Sequence, residues 1–412
     1  MKNLTVMYDV LVVGGGAAGM MAAIAAAERG KTVCIAERNG FLGKKLNITG
    51  KGRCNLTNNC DVDTVIKNAP RNGRFLYSAL NAFPPSEVII FFESRGLPLK
   101  TERGNRVFPE SDKATDVSTL LRGELKRLGV KTLQSRVAGL CITNGKLVGV
   151  KSETGKIDCK ACILATGGLS YSATGSTGDG YKLADAAGHA IVSPVASIVP
   201  LCSENEFCKR LSGLALKNVR VKAFTSKNKI VFEDFGELLF THFGISGPVP
   251  LSMSAHLRNF EKESYYALID LKPALDEKTL DVRILRDFEA AKNKALSNGV
   301  SGLMPSAMIP FVLEQANLDG AKSVNSITKA ERLALVEALK RFRIGISGAR
   351  PVEEAVITSG GIATREIDPA TMMSKLVKGL YFAGEVIDVD AYTGGFNLQI
   401  AWATGRLAGM NA

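Results

Sequence analysis

The sequence predicts an α/β fold: a nucleotide-binding sheet built from both ends of the chain, with a β-barrel plus helical block inserted between them. Three observations carry this. A strand–glycine turn–helix–strand pattern opens the chain. Glycine-rich strand-to-helix turns return at 163–180 and again at 354–396. Between them the composition switches to alternating strands and then to helical periodicity.

Residues 10–13 are a short β-branched run, read as a buried strand. Gly14, Gly16 and Gly19 complete G-x-G-x-x-G. An Ala-rich helix follows, Gly30 ends it, and residues 32–36 form a second strand closing on Glu37, eighteen residues after Gly19. Gly14 permits the tight turn, Gly16 lets a pyrophosphate approach the backbone, and Gly19 lets the helix pack close to the strand. Ala17 and Ala18 begin a helix whose free N–H groups attract phosphate oxygens. Glu37, followed by Arg38, accepts ribose hydroxyls and repels a 2′-phosphate. Strand, helix and acid supply the context this Rossmann-type motif requires.

Residues 41–60, F-L-G-K-K-L-N-I-T-G-K-G-R-C-N-L-T-N-N-C, are glycine-rich, basic and amide-rich. Lys44, Lys45 and Arg53 are expected to meet phosphates, and Asn55 and Thr57 the ring edge or ribose of a dinucleotide. Cys54 and Cys60 have five residues between them, where disulfide reductases of the glutathione reductase type have four, so the pair reads as structural. Helices are expected at 62–68, 71–82, 85–95 and from 111 or 113 to 128, with a short hairpin at 102–107. Strands follow at 130–134, 137–143, 146–151 and 157–164, with Asn144-Gly145 as a hairpin turn. The backbone of Val137 is placed to pair with an adenine edge. Cys159 and Cys162 fall on opposite faces of a strand, which suits neither a metal nor a redox helix.

Ala165, Thr166 and Gly167 sit in I-L-A-T-G-G after that strand, where a cofactor can approach the backbone. S-Y-S-A-T-G-S-T-G-D-G (170–180) opens the next helix, 181–187, as a second anion- or carbonyl-binding candidate. From residue 193 strands are expected at 195–201, 216–224, 229–235 and 265–271, forming a small antiparallel sheet or barrel. Lys209, Arg210, Lys217, Arg220, Lys222, Lys227 and Lys229 occur with no acid between them. They read as a solvated sheet face, or as a patch for RNA or an acidic substrate. E-L-L-F-T-H-F-G-I-S-G-P (237–248) is an aromatic turn bearing His242. Helices are expected at 276–298, 306–315 and 329–342.

The chain then returns to its first pattern. A strand at 354–357 precedes T-S-G-G-I, a strand at 380–385 ends in Gly384-Glu385, and a helix over 396–410 follows V-I-D-V-D-A-Y-T-G-G. The expected domains are therefore 1–191 and 354–412 as two parts of one nucleotide-binding domain, with 192–353 inserted. The insert divides into a barrel over 193–272 and helices over 274–345.

The chain has 412 residues, 46% hydrophobic and 22% charged, ordinary for a globular protein of two or three domains. Its net charge of +12 favours anionic partners. Eight cysteines without framework spacing, and no secretory leader, read as reduced thiols of a cytoplasmic protein. No uninterrupted apolar run reaches the roughly 18 residues of a membrane span, and no metal site is read.

Three glycine-hinged turns converging on one long ligand point to FAD: diphosphate at 14–19, middle at 165–168, ring at 394–399. The last helix begins at Gly394-Gly395, and its positive end favours charge on a reduced flavin ring. The motifs together resemble the BaiN-like (YhiN-like) bacterial flavoproteins along the whole chain, most specifically in G-K-K-L-N-I-T-G-K-G-R-C-N-L-T-N and A-G-E-V-I-D-V-D-A-Y-T-G-G-F-N-L-Q-I-A-W-A. The resemblance implies a glutathione-reductase-like FAD domain with an inserted barrel-plus-helical domain. It places Gly14, Gly16, Ala17, Glu37, Lys45, Asn55, Val137, Ala165, Gly384, Asp388, Asn397 and Leu398 against FAD.

It also implies a redox enzyme with three readings. One reduces a C=C bond conjugated to a ketone, as in 3-oxo-Δ4 or Δ4,6 bile acids and steroids, and is preferred. One forms dihydrouridine in ribosomal RNA. One oxidises aminoacetone with O₂. A non-enzymatic FAD-binding protein is the remaining alternative. Reduction needs a donor for the carbonyl oxygen or the α-carbon, and Tyr171, His242 and Tyr392 are the candidates. No second G-x-G-x-x-G follows a strand, so NAD(P)H is expected to bind only transiently.

Overall fold

The structure is a computed structural model that describes residues 7–258 and 260–412, so residues 1–6 of the expected first segment lie outside it. Two compact units emerge: residues 7–197 with Val352–Ala412, and Ile198–Pro351.

The first unit is built on a seven-stranded sheet. Tyr8–Val13 lies at its centre, paired in parallel with Val33–Glu37 on one side and Gly155–Leu164 on the other. Lys131–Gln134 extends one edge in parallel, and Leu380–Phe382 pairs in parallel with Leu164 and its neighbours. Val137–Thr143 and Lys146–Ser152 complete an antiparallel meander. Asn144 and Gly145 both take positive φ there, the geometry a tight two-residue hairpin requires. Every residue of Val33–Glu37 is buried, which explains its unalternating apolar sequence.

The Ala-rich helix Ala17–Glu28 packs against the closing helix Phe396–Asn411. A Cβ on Gly409 would stand 2.2 Å from the Ala22 carbonyl oxygen, so small residues on both helices set that close approach. Trp402, fully buried, donates its indole N–H to the Leu56 carbonyl at 2.9 Å and ties the closing helix to the 41–60 loop.

The second unit has its own core and a second seven-stranded sheet. Its order runs Phe342–Ile346, Tyr265–Asp270, Ala215–Thr225, Ile230–Thr241, Gly244–Ser246, Leu201–Cys202, Gly348–Ala349. The two edge strands are halves of one segment, 342–349, so the sheet closes on itself as a barrel and exposes no long edge. Helices Glu277–Glu289, Ile309–Gln315 and Lys329–Lys340 complete the unit.

Four expectations are corrected. The strand expected at 195–201 is Ile191–Ser197, and it pairs antiparallel with Ile357–Ile362 inside the first unit. The T-S-G-G-I glycines lie within that partner strand rather than after it. A Cβ on Gly360 would stand 2.5 Å from Ser193 O, so glycine is what lets the two backbones pair. The single helix expected over 276–298 is broken into Glu277–Glu289 and Leu296–Gly299. The 329–342 helix stops at Lys340, because Phe342 begins the closing barrel strand.

Candidate cofactor cleft and active site

A deep cleft in the first unit is lined by the turn after the first strand, the 37–50 loop, the 135–137 and 165–179 turns, and the 383–401 segment. Gly14 donates its N–H to Ala36 O at 2.9 Å and adopts φ +102. A Cβ there would sit 2.5 Å from Ala165 O, so the turn presses on the A-T-G-G turn. Gly16 lines the cleft, and a Cβ on it would meet no atom within 4 Å: it faces open space. Gly19 is off the cleft wall, where a Cβ would stand 1.9 Å from Gly14 O, which is its expected packing role.

Glu37 is buried and oriented before any ligand arrives. Its Oε2 accepts the Gly15 N–H at 2.7 Å, and its Oε1 accepts the Asn39 N–H at 2.8 Å and Asn39 Nδ2 at 2.7 Å. Oε2, with one donor, keeps a lone pair for a ribose hydroxyl.

Three helices start at the cleft, and glycine stands at each N-cap: Gly16, Gly178 and Gly395. None receives a side-chain cap. Away from the cleft, Asp61, Asp276 and Thr328 cap their helices with side-chain oxygens, while Pro85–Glu93 and Ala114–Arg127 also start without a side-chain cap. The first N–H groups of the three cleft helices are thus left for a ligand, and their positive dipole ends favour anionic groups. Uncapped helix starts, an open Gly16 and a preset Glu37 fit the diphosphate, ribose and ring of a flavin dinucleotide.

Next to Glu37, Arg38 donates to Thr177 Oγ1 at 2.7 Å, and Lys44 Nζ donates to Ala173 O at 2.9 Å. Arg136 forms a bidentate pair with Asp179 at 2.7 and 2.8 Å, beside the buried Val137. Arg136, Asp179, Asn39 and Ser135 all line the cleft and were not singled out from sequence. Arg136 adjoins Val137, and Asp179 is the acid of T-G-D-G; those positions are the only local signal.

In the middle Ala165, Thr166 and Gly167 line the wall, and Thr166 Oγ1 is buried without a hydrogen-bond partner. Lys45 Nζ donates to Glu385 Oε2 at 2.6 Å and to Ser170 Oγ at 2.7 Å; Glu385 Oε1 accepts from Ser170 Oγ and Thr358 N, both at 2.9 Å. Gly384 donates its N–H to Thr404 Oγ1 at 3.0 Å.

At the far end Gly395 takes φ +97, and a Cβ would stand 2.3 Å from Thr57 O. With its amide turned to suit its neighbours, Asn55 accepts the Gly395 N–H at 3.0 Å and donates to Thr57 O at 3.1 Å. Asn397 is engaged likewise: Oδ1 accepts Ala391 N at 2.9 Å and Nδ2 donates to Ala391 O at 2.6 Å. Both asparagines line the cleft while fixing backbone, and Leu398 and Tyr392 complete the wall.

Other expected residues stand elsewhere, each for a visible reason. Arg53 is off the cleft wall, bound to Glu102 at 2.5 Å and Asp112 at 2.8 Å, with its guanidinium 4.2 Å from the Phe108 ring centre. Thr57 is buried and donates to Gln399 Oε1 at 2.6 Å. Asp388 is buried in a pair with Arg71 at 2.5 and 3.0 Å, with Asn72 donating to it at 3.0 Å. These three hold loops rather than line the cleft.

Of the three catalytic candidates, Tyr392 is on the wall. Its N–H donates to Asn68 O at 2.9 Å and its carbonyl accepts from Asn397 Nδ2 at 3.3 Å. Tyr171 is off the wall and 37% exposed, with Lys45 Nζ 5.8 Å from its ring centre. His242 belongs to the second unit, exposed on the turn between Ile230–Thr241 and Gly244–Ser246, edge-on to Phe243. Burial pushes the Cys54 thiol up to about 12, and burial followed by the Asp61 charge pushes Cys60 up to about 11, so neither is a thiolate at neutral pH.

A family model described as the HI0933-like protein Rossmann domain matches residues 8–411. The 3-dehydro-bile acid delta(4,6)-reductase of Clostridium scindens is 32% identical over 412 residues, with 98% of this chain and 99% of that protein covered. A ribosomal RNA dihydrouridine synthase of Haemophilus influenzae is 30% identical over 400 residues, with 96% of each covered. Among solved structures, the 3-ketosteroid delta1-dehydrogenase of Sterolibacterium denitrificans in complex with 1,4-androstadiene-3,17-dione superposes with a TM-score of 0.53 at 13% identity, covering 98% of both chains; this likeness is one of fold.

Proposed function

The chain belongs to the HI0933-like Rossmann family and is an FAD-dependent oxidoreductase, and on that premise we propose that it reduces a C=C bond conjugated to a ketone, with 3-oxo-Δ4 or Δ4,6 bile acids or steroids as the substrate class. The observation that carries the cofactor half is the cleft ringed by three uncapped, glycine-led helix starts. The substrate half is supported by full-length similarity to a reductase of that class.

When bound, reduced FAD supplies a hydride to the β-carbon of the conjugated carbonyl. The protein's share is to bind, polarise and protonate. The N-terminus of Phe396–Asn411 sets a positive dipole end at the cleft, which favours negative charge developing there. Tyr392 stands on the cleft wall with its backbone held from both sides, so its hydroxyl is our choice of donor to the α-carbon over Tyr171 and His242. Glu37 and the Gly16 turn bind without reacting. Lys45, fixed by Glu385 and Ser170, brings a cation to the cleft wall.

NAD(P)H is the proposed electron donor, acting transiently. Stopped-flow bleaching of the flavin by NADH or NADPH tests this, and a flavin left oxidised at saturating donor counts against it. The substrate test is anaerobic reoxidation of the reduced enzyme by a panel: a dienone bile acid, uridine-containing RNA and fumarate, with O₂ in a separate run. Rapid reoxidation by the dienone alone is expected.

A second reading has one specific observation behind it. Reduction of uracil in RNA is the same chemistry at a C=C bond conjugated to a carbonyl. Lys217, Lys227 and Lys229 of the 209–229 run are exposed and pair with no carboxylate among the described residues. Similarity to the dihydrouridine synthase supports this reading.

A further inference from the structure

The outer face of the second unit's barrel carries an assembly that the cleft chemistry does not use. On Ala215–Thr225, Val219, Val221 and Ala223 are buried, so Arg220, Lys222 and Phe224 point outward. On the neighbouring strand Tyr265–Asp270, Ala267 and Ile269 are buried and Tyr266 and Leu268 point outward. Phe224 and Tyr266 face each other in register, and their rings stack at 5.1 Å with 7° between planes. Arg343, on the next strand, lays its guanidinium 3.8 Å from the Tyr266 ring centre. The Tyr266 hydroxyl donates to Asn228 Oδ1 at 2.7 Å, which leaves the two Nδ2 donors of that exposed amide free to turn to a ligand. Ile230, directly opposite Phe224 on the other side, is 50% exposed.

Charge around this stack is mostly basic, with Glu263 beside Lys227 accepting from Ser226 N at 3.2 Å and Ser226 Oγ at 2.6 Å. Arg220 and Lys222 share Glu233, and Asp270 is taken by Lys340. Lys217, Lys227 and Lys229 are exposed and in no ion pair among the described residues. A cross-strand aromatic pair alone is ordinary sheet stabilisation. A guanidinium layered on that pair, unpaired lysines on the adjoining hairpin and a free amide at the edge add what a nucleotide strand needs: a π-face, phosphate partners and a hydrogen-bonding group.

We propose that this face is a docking platform for single-stranded RNA. Bases stack on the Arg343–Tyr266–Phe224 assembly, Lys227 and Lys229 on the adjoining hairpin meet phosphates, and Asn228 meets a 2′-hydroxyl or base carbonyl. The proposal deepens the uracil reading and rests on it for its use. Binding is measured without turnover, so the two fail separately.

The experiment uses the flavin-loaded full chain and a short unstructured fluorescent RNA, read by anisotropy across a salt series. Single-stranded DNA of the same sequence, heparin and phosphatidylglycerol vesicles serve as the other arms. Expected are binding with a steep salt slope, about tenfold weaker binding for the F224A/Y266A double variant, and a slope flatter by about 1.4 for K227Q/K229Q. Arg343→Lys keeps the charge and loses the planar stack, so it weakens binding while leaving the slope unchanged. Should the aromatic variant lose its barrel, shown by circular dichroism, R343K and K227Q/K229Q decide alone. Absence of RNA binding at low salt, affinity unmoved by these variants, or equal binding of DNA or vesicles overturns the proposal. Uridine reduction, followed by nucleoside mass, is scored separately and bears only on the uracil reading.

Discussion

Lys45 Nζ lies 2.6 Å from Glu385 Oε2, joining two loops 340 positions apart in the chain. Side-chain exposure is 21% for the lysine and 12% for the glutamate, so the pair is only partly screened by water. It locks the basic loop after the first β-α-β unit onto the A-G-E turn, with Ser170 and Thr358 N sharing the carboxylate.

Glu385→Gln keeps the shape and removes the charge. It leaves Lys45 facing a neutral amide at the cleft wall, a loss of about 1.5–3 kcal/mol for a hydrogen bond to a charged group. Expected is FAD affinity down about tenfold in an apoprotein titration by flavin fluorescence, with the fold kept by circular dichroism. Wild-type affinity in the variant would show that the loops are held without the pair.

Gly16 and Gly19 belong to one motif and should fail differently. Gly16→Val puts a side chain into open cleft at a backbone angle valine accepts, φ −80 and ψ −167. The variant should fold with near-native thermal stability and purify without flavin. Gly19→Ala drives a Cβ to 1.9 Å from Gly14 O and should lose folded yield itself. A yellow Gly16→Val protein would remove the phosphate from this turn.

His189 gives a stability test by pH. Burial holds its pKa below the ordinary value of 6.5, outweighing the opposing pull of Glu366, and its ring packs edge-on to Phe382 with Nε2 2.8 Å from Ser374 Oγ. With the folded pKa depressed, the unfolded chain binds the proton first as pH falls through about 6.5. Stability is therefore full above that pH and falls below it, by at most about 1.4 kcal/mol per pH unit for this group. Urea unfolding between pH 7.5 and 5.5 should show the fall, and His189→Gln should flatten it. An equal slope in both proteins would assign the dependence to other groups.

How much of this was legible in sequence follows from how local each signal is. The G-x-G-x-x-G turn, the position of Glu37, the Asn144-Gly145 hairpin and the closing-helix start depend on a few adjacent residues, and their local geometry forms as expected. That Arg53 and Asp388 stand off the cleft wall was not legible, because their partners, Glu102, Asp112 and Arg71, lie far away in the chain. A basic residue in a phosphate-rich motif and one in a structural pair look the same until the carboxylates are placed. Pairing of Ile191–Ser197 with Ile357–Ile362, and closure of the barrel through 342–349, are likewise long-range facts. The helical pattern of 329–340 runs into that closing strand without a Gly or Pro to mark the change.

The proton donor is the sharpest remaining test. Tyr392 lines the cleft, Tyr171 is exposed beside Lys45, and His242 sits on a turn of the other unit. If Tyr392 protonates the α-carbon, Tyr392→Phe keeps the ring on the wall and loses only the transferable proton. Flavin reduction by the electron donor should be unchanged, FAD affinity should stay within about twofold, and reoxidation by the conjugated ketone should slow by about 10²–10⁴-fold. A solvent isotope effect on reoxidation should change with it, which a merely structural tyrosine would not cause. Tyr171→Phe and His242→Gln should each leave reoxidation within about threefold of wild type. A normal Tyr392→Phe beside a crippled Tyr171→Phe would move the donor to the Lys45 side of the cleft, and a crippled His242→Gln would bring the second unit into the chemistry.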